Sequence, residues 1–191
     1  KLRFATVFPY SCHQYQLLDW LKEGNVQHEI DVLIIPPSEM VSGLQSSIID
    51  GFCVGGPWNA KSVREGSGVT ILTSYDIWRD KAEKVLGTTA SFYQKEPELI
   101  AKLCAALLLA CEWLQYLPNR FEAARIMSEQ TYLNQAIDVI APSLLGSCLT
   151  HKSQTPQIVE HYNRFFLRDF HTVNAPSADL QKWLLSKMIE C

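Results

Sequence analysis

The sequence predicts an α/β domain in which a parallel-type sheet is flanked by helices. Three short apolar segments, at residues 2–8, 30–35 and 51–54, have the length and composition of strands. Segments with helical spacing of apolar residues separate them, and strands that alternate with helices in this way form βαβ units. The nearly continuous apolar run at residues 30–35 is typical of a strand buried on both faces of such a sheet.

The helices between these strands have recognisable starts and ends. Ser11 or Cys12 can begin the first helix, and Gly24 can end it. Its apolar face is formed by Tyr15, Leu17, Leu18, Trp20 and Leu21. The second helix is expected to follow Pro36-Pro37, with Ser38 as its N-cap.

Further elements are predicted along the remaining chain. A short helix is expected at residues 60–65, a fourth strand at residues 69–72 and a polar-aromatic connector at residues 75–80. A strand is expected at residues 88–93. A long helix should run from residue 98 to about residue 117, and its nearly all-round apolar surface predicts that it is buried. The remaining helices are predicted at residues 120–129, 133–140, 157–167 and 178–189.

Composition excludes several classes of function. The chain has 191 residues, 47% of them hydrophobic, and a net charge of −3, so no overall positive field would attract nucleic acid or an anionic membrane. No direct nucleic-acid partner is therefore expected. The most apolar run, at residues 103–111, is too short to span a bilayer. The abrupt start in a strand pattern suggests a chain cut from something longer.

The six cysteines, at positions 12, 53, 104, 111, 148 and 191, show no zinc-ligand spacing. Cys104 and Cys111 are seven residues apart in a predicted helix, roughly 10 Å along its axis, which is too far for a disulfide. The cysteines are therefore expected to be mostly buried thiols, which favours a reducing compartment. No metal and no cofactor is predicted.

The segment at residues 49–59, Ile-Asp-Gly-Phe-Cys-Val-Gly-Gly-Pro-Trp-Asn, is the most informative part of the chain. A strand runs into Gly55-Gly56-Pro57 and restarts as a helix, and the N–H groups at such a helix start can bind an anion. A tight connection between a strand and a helix explains the same residues without any ligand. The loops at residues 9–13, 36–39 and 55–59 should converge at the carboxyl ends of parallel strands, where ligands bind in open α/β sheets.

Catalytic signatures are missing from the sequence. It contains no GxSxG, HExxH, P-loop or GxGxxG motif. His13 lies beside the converging loops, but a lone histidine is more often a structural hydrogen-bonding residue. Lys84 follows Glu83, and an exposed ion pair is its simplest interpretation. A protein that binds a small anion therefore fits the residues slightly better than a hydrolase.

Four motifs stand out together: Phe8-Pro-Tyr-Ser-Cys-His13-Gln-Tyr-Gln-Leu17, Pro36-Pro-Ser-Glu-Met40, the segment at residues 49–59, and Ile77-Trp78 followed by Glu83-Lys-Val-Leu-Gly87. Further motifs occur at Tyr132-Leu133, Leu144-Leu-Gly146 and Trp183-Leu-Leu-x-x-Met188. Together these residues resemble the nitrate-binding family, which includes the solute-binding proteins of nitrate and bicarbonate ABC transporters and a cytoplasmic nitrate/nitrite sensor.

The resemblance implies a type II periplasmic-binding-protein fold, with two α/β lobes and the ligand in the cleft between them. Residues 1–168 would form the second lobe with appended helices, and residues 169–191 a return segment toward a first lobe that this chain lacks. The function implied is nitrate or nitrite binding for an ABC-type transport system, without catalysis. Permease and ATPase subunits would be the protein partners, and the location would be periplasmic or membrane-anchored.

The resemblance also implies which residues contact the anion: His13 and Lys84, with Pro37, Gly55 and Trp58 as further ligand-binding positions. A lysine charge and a histidine N–H suit a planar anion, and an aromatic wall would exclude better-hydrated anions. Bicarbonate binders of the family tend to have an acid where this chain has Lys84, so nitrate or nitrite is expected. At Gly56 this chain departs from the family, which usually has Glu there.

Two alternatives remain. The cytoplasmic sensor would have the same fold and ligand, but its partner would be an RNA-binding antiterminator. The reduced cysteines favour it, and the general frequency of transporter proteins favours the transport role. A thiamine-precursor or sulfonate-type enzyme or binder could share the fold, because fold alone does not define function, although the context of His13 and Lys84 argues against it.

Overall fold

The elements of the chain are mostly short. The computed structural model describes residues 1–79, 81, 84–159, 162–165 and 174–190. In chain order the strands and α-helices are β1 (Leu2–Thr6), α1 (Cys12–Glu23), β2 (Ile30–Ile34), α2 (Met40–Gln45), β3 (Gly51–Phe52), α3 (Trp58–Glu65), α4 (Ser74–Trp78), α5 (Ala90–Lys95), α6 (Pro97–Trp113), α7 (Leu117–Ser128), α8 (Ile137–Leu145), β4 (Ser147–Cys148), β5 (Gln157–Ile158) and α9 (Ala178–Glu190).

A three-stranded parallel sheet forms the centre of the N-terminal half. Strand β1 lies between β2 and β3, and both neighbours run parallel to it. Phe4 pairs with Val32 on one side and with Gly51 on the other. The predicted parallel sheet is therefore confirmed. The predicted strand at residues 69–72 is wrong, because this stretch has no strand ladder; the Thr70 N–H instead donates to the carbonyl of Thr150 at 2.9 Å.

Local capping explains where the helices near the sheet begin. The Ser11 side chain accepts a hydrogen bond from the Gln14 N–H, and Gly24 ends α1, as predicted. Helix α4 takes the place of most of the connector predicted at residues 75–80, of which residue 80 lies outside the described residues. A reciprocal capping box starts it, in which Thr73 and Asp76 each accept from the other's backbone N–H. This pair stabilises a helix too short to be recognised from apolar spacing.

The first hydrophobic core lies against the sheet. Ala5, Met40 and Ile49 are almost fully buried there, and Leu33 and Phe52 pack against them. Each fully buried side chain of the size of Met40 or Ile49 contributes about 1.5–3 kcal/mol relative to an exposed one. This core joins α2 to all three strands and so holds together the loops that follow them.

The C-terminal half is mainly helical, with a second core between α7 and α8. Ala124, Ile140 and Leu144 are buried in it. The predicted strand at residues 88–93 is wrong: Thr89 caps α5 by accepting from the Phe92 N–H. The helix predicted at residues 157–167 is wrong where the structure describes it, because residues 157–158 form β5, which pairs antiparallel with β4, and residues 162–165 are not helical. Residues 160–161 and 166–167 lie outside the described residues.

Helix α6 is present but is not buried, so that prediction is wrong. None of its residues is buried; Leu99 is 50% and Leu109 66% exposed. An apolar surface on all sides indicates that a helix needs cover, but the described part of this chain does not supply it. By length and composition, no single described helix could cross a membrane; only the pair α6 and α7 meets the requirement together, with a bend of 118° between them.

The cysteines that the structure describes, at positions 12, 53, 104, 111 and 148, form no disulfide with one another, as predicted. Their predicted burial is mostly wrong, since only Cys148 is buried and Cys104 is exposed. Cys191 lies outside the described residues. Within the described ranges, no group of three or more His, Cys, Asp or Glu side chains could hold a metal ion.

Candidate functional site

The candidate site lies at the carboxyl edge of the three-stranded sheet. Because β1, β2 and β3 are parallel neighbours, the loops that follow them leave the sheet at the same edge. These loops lead into α1, into the 3-10 turn Pro37–Glu39 that precedes α2, and into α3. Loops at this edge of an open α/β sheet are the usual place for a ligand.

The His13 ring lies beside Gly55 at this edge. His13 is the second residue of α1 and is half-buried. Its Nε2 atom lies 3.7 Å from the point where a β-carbon on Gly55 would stand. The loops after β1 and β3 therefore meet, and the imidazole lies over a backbone without a side chain. A ring nitrogen in this position can donate to or accept from a small ligand beside the turn.

The two glycines of the turn face different helices. A β-carbon on Gly55 would meet His13 on α1, whereas one on Gly56 would lie 3.6 Å from the Ser143 hydroxyl oxygen on α8. Gly56 is exposed. The turn thus lies between α1 at the edge of the sheet and α8 in the helical C-terminal half.

Trp58 is the first residue of α3 and is only 9% exposed. The Lys61 ammonium lies 5.7 Å from the centre of its ring, within the range of a cation–π interaction. With this burial, Trp58 contributes mainly to packing below the turn. A cleft beside the turn would meet only a small part of the ring.

Pro37 and Lys84 stand at the ends of two other loops. Pro37 is half-buried and begins the 3-10 turn that leads into α2. Lys84 is exposed and lies six residues beyond the end of α4. The structure places His13 beside Gly55, and the assignments of His13, Pro37, Gly55, Trp58 and Lys84 as ligand contacts all depend on the sequence resemblance.

A partly buried polar network behind the turn was not predicted from the sequence. The Asn59 side-chain amide donates to the Tyr162 hydroxyl at 3.3 Å. Burial raises the pKa of Tyr162 and also that of the neighbouring Cys148. A cavity of about 70 Å³ borders this network and is also lined by Arg64, Ser143 and Ser147. Tyr162 is 103 residues from Asn59, so no local pattern connects them.

Comparison with known proteins gives curated relatives in nitrate and bicarbonate transport. The nitrate import ATP-binding protein NrtC and the bicarbonate transport ATP-binding protein CmpC of Synechocystis sp. are each 32% identical over 184 residues, which are 95% of this chain and 27% of the relative. The nitrate/nitrite binding protein NrtA of Nostoc sp. is 31% identical over 167 residues, 86% of this chain and 38% of that protein. The chain thus spans well under half the length of these relatives.

One solved structure matches nearly the whole of this chain. The crystal structure of the periplasmic nitrate-binding protein NrtA from Synechocystis PCC 6803 matches with a TM-score of 0.91 at 24% identity. The match covers 98% of this chain and 49% of that chain. The predicted type II periplasmic-binding-protein fold is therefore confirmed.

A family model gives the relationship directly. The model of the NMT1-like family matches residues 1–128, the part of the chain that contains the sheet, the Gly55-Gly56-Pro57 turn and Lys84. Together with the curated relatives, this match confirms the resemblance predicted from the motifs, and the chain belongs to the NMT1-like family.

Proposed function

We propose that this chain is part of the solute-binding component of an ABC-type nitrate transport system, that it binds nitrate or nitrite, and that it catalyses no reaction. The observation that carries the proposal is the position of the His13 ring beside Gly55 at the carboxyl edge of the sheet. It occurs in a fold that matches half of a periplasmic nitrate-binding protein over 98% of this chain.

The anion chemistry follows from the residue types. Nitrate is planar, carries one negative charge and accepts hydrogen bonds through three oxygens. The Lys84 ammonium would supply the charge and the His13 ring an N–H donor, beside the Gly55 backbone. Because the chain carries a net charge of −3, attraction of the anion has to be local. Pro37 and the exposed part of Trp58 would line the cleft and disfavour strongly hydrated anions.

The domain organisation is also part of the proposal. Residues 1–168 form the second lobe with its appended helices, and residues 169–191 are the return segment toward a first lobe. The exposed leucines of α6 support this organisation, because a helix with apolar residues on all sides needs to be covered. A first lobe, equivalent to the part of the nitrate-binding protein that this chain does not match, would cover α6 and form the other wall of the cleft.

The partners would be a permease and an ATPase subunit, and the location periplasmic or membrane-anchored. The relatives named above act in nitrate and bicarbonate transport according to their names, which supports a transport role. None of them supports the antiterminator partner, so the sensor is not proposed.

Isothermal titration of the full-length gene product with nitrate tests the proposal. Replacing Lys84 with Glu should abolish binding, since a charge reversal beside an anion converts attraction into repulsion. Lys22→Glu is the matched control; it makes the same charge change at the exposed C-terminal end of α1 and should retain the wild-type affinity. Unchanged nitrate affinity in Lys84→Glu would sink the site assignment, and a wild-type protein that binds bicarbonate but not nitrate would overturn the choice of ligand.

A further inference from the structure

Helix α9 is joined to α1 and α4 through one carboxylate. The Asp19 Oδ2 atom on α1 accepts a hydrogen bond from the Trp78 indole N–H of α4 at 2.8 Å. The Lys187 ammonium of α9 lies 3.0 Å from Oδ1 and 2.9 Å from Oδ2 of the same carboxylate. Both charged side chains are largely sheltered, with 25% of the Asp19 and 19% of the Lys187 side chain exposed. Such a pair is screened less than a surface pair.

An aromatic contact reinforces the same junction. The rings of Trp78 and Trp183 meet edge to face with their centres 4.7 Å apart, the preferred geometry for such pairs. Trp78 is only 7% exposed, and the Lys81 ammonium lies 5.2 Å from the centre of the Trp183 ring. We name Asp19, Trp78, Trp183 and Lys187 the α9 clasp.

The elements that the clasp joins lead to His13 and Lys84, the two side chains proposed to bind the anion. Asp19 is six residues after His13 on the same helix, and Trp78 ends the helix six residues before Lys84. Relative motion of α1 and α4 would change the distance between those two side chains. An anion held by two groups loses affinity when their spacing varies, because the site must then be ordered on binding.

We propose that Asp19 and Lys187 are positioning residues: through the clasp, α9 holds α1 and α4 in the spacing that lets His13 and Lys84 contact one anion. This inference rests on the proposed function and assigns a binding role to a helix at the far end of the chain. The return segment then contributes to affinity without contacting the ligand. A purely structural clasp would contribute to stability alone.

Nitrate titration of clasp variants of the full-length gene product separates these two roles. Lys187→Met keeps most of the side-chain volume and removes the charge, and Lys187→Arg keeps the charge and the donors. Lys187→Met should lower nitrate affinity roughly fivefold, as for residues that couple sites without touching the ligand, and Lys187→Arg should largely retain it. Asp19→Asn should behave like Lys187→Met, because it removes the charge on the other side.

Ile140→Val is the control for loss of stability alone. Ile140 is 1% exposed in the α7–α8 core, so shortening it lowers stability without touching the clasp. It should retain wild-type affinity at a temperature where all variants are folded. Unchanged affinity in Lys187→Met, or the same loss in Ile140→Val, would overturn the positioning role.

Amide hydrogen exchange keeps the inference separate from the choice of ligand. Exchange in the peptide spanning residues 74–84 should be faster in Lys187→Met than in the wild type and unchanged in Ile140→Val. If the wild type shows no nitrate binding, the proposed function fails and this exchange result decides about the clasp. Equal exchange of residues 74–84 in Lys187→Met and in the wild type would then refute the claim that the clasp orders this segment.

Discussion

The Nε2 atom of His13 lies 3.7 Å from the position that a β-carbon would occupy on Gly55. This is an ordinary van der Waals distance, so a methyl group fits but a larger side chain displaces the imidazole. We therefore expect Gly55→Ala to bind nitrate almost as the wild type does. Gly55→Leu should bind at least about tenfold more weakly, as expected when a ligand contact is moved by about 1 Å.

Titration calorimetry on the full-length gene product measures both affinities. Gly55→Ala is the reference in which the added side chain is small enough to fit. Thermal unfolding of the same samples should show that Gly55→Leu is folded at the temperature of the titration. Wild-type affinity in folded Gly55→Leu would contradict the assignment of His13 to the anion site.

The close packing of the Phe4 ring against Gly51 predicts an effect on stability. Gly51 pairs with Phe4 in the β1–β3 ladder, and a β-carbon on Gly51 would lie 2.5 Å from the Phe4 Cε1 atom. Gly51→Ala must therefore shift the Phe4 ring and should lower the free energy of unfolding by about 1–3 kcal/mol. Urea denaturation checks this value.

Gly87→Ala is the matched control for this change, since no atom lies within 4 Å of its added β-carbon. It should change the free energy of unfolding by no more than about 0.5 kcal/mol. If Gly51→Ala were as stable as Gly87→Ala, the close contact between the Phe4 ring and the β3 backbone would not exist in solution.

The network behind the turn predicts loss of stability at alkaline pH. Burial raises the pKa of Tyr162 above its ordinary 10.0 and that of Cys148 above its ordinary 9.0. Above those values the unfolded chain releases protons that the folded chain retains. The contribution of Tyr162 and Cys148 to the free energy of unfolding is therefore complete below about pH 9. It is lost as the pH rises through the folded-state pKa values.

Urea denaturation under reducing conditions between pH 7.5 and pH 10.5 measures this dependence. Tyr162→Phe should be less stable than the wild type near neutral pH, because the Asn59 amide loses its acceptor. It should also lose less stability as the pH rises. Parallel pH profiles for the wild type and Tyr162→Phe would show that the phenol is not buried.

The exposed surface of α6 predicts how the 191-residue chain behaves when it is produced by itself. Leu103 and Leu109 are 42% and 66% exposed, and their helix has apolar residues on all sides. A dye that becomes fluorescent on apolar surfaces should bind strongly, and replacing both leucines with Glu should reduce the signal. An equal dye signal in the doubly substituted chain would exclude α6 as the bare surface.

The same 191-residue chain should bind nitrate weakly or not at all, because half of the proposed cleft is missing. Titration calorimetry on the isolated chain and on the full-length gene product makes the comparison. Micromolar binding by the isolated chain would show that a single lobe suffices and would refute the two-lobe site.

Local sequence patterns predicted the parts of the fold that depend on local chemistry. The strands at the start of the chain and α1 follow from apolar runs, the Ser11 cap and Gly24. The burial of α6 could not be predicted, because an apolar pattern reports that a surface needs cover and not whether this chain provides it. The strand expected at residues 88–93 failed because the cap at Thr89 starts a helix there.

For the candidate site, the edge of the sheet was predictable and its internal contacts were not. Parallel strands require their loops to share an edge, which brings the loop containing His13 to Gly55. The hydrogen bond between Asn59 and Tyr162 spans 103 residues, and the Asp19–Lys187 pair spans 168. Contacts at such separations are determined by packing, so no spacing rule reveals them.

The arrangement of Gly55 and Gly56 makes two properties of the protein separable by mutation. Substitutions at Gly55 act on the imidazole of α1, while those at Gly56 act on Ser143 of α8. A library randomised at one of these neighbouring positions therefore samples ligand preference, and a library randomised at the other samples the junction with the helical half. A sensor for small anions could thus be retuned at Gly55 while its scaffold is optimised independently at Gly56.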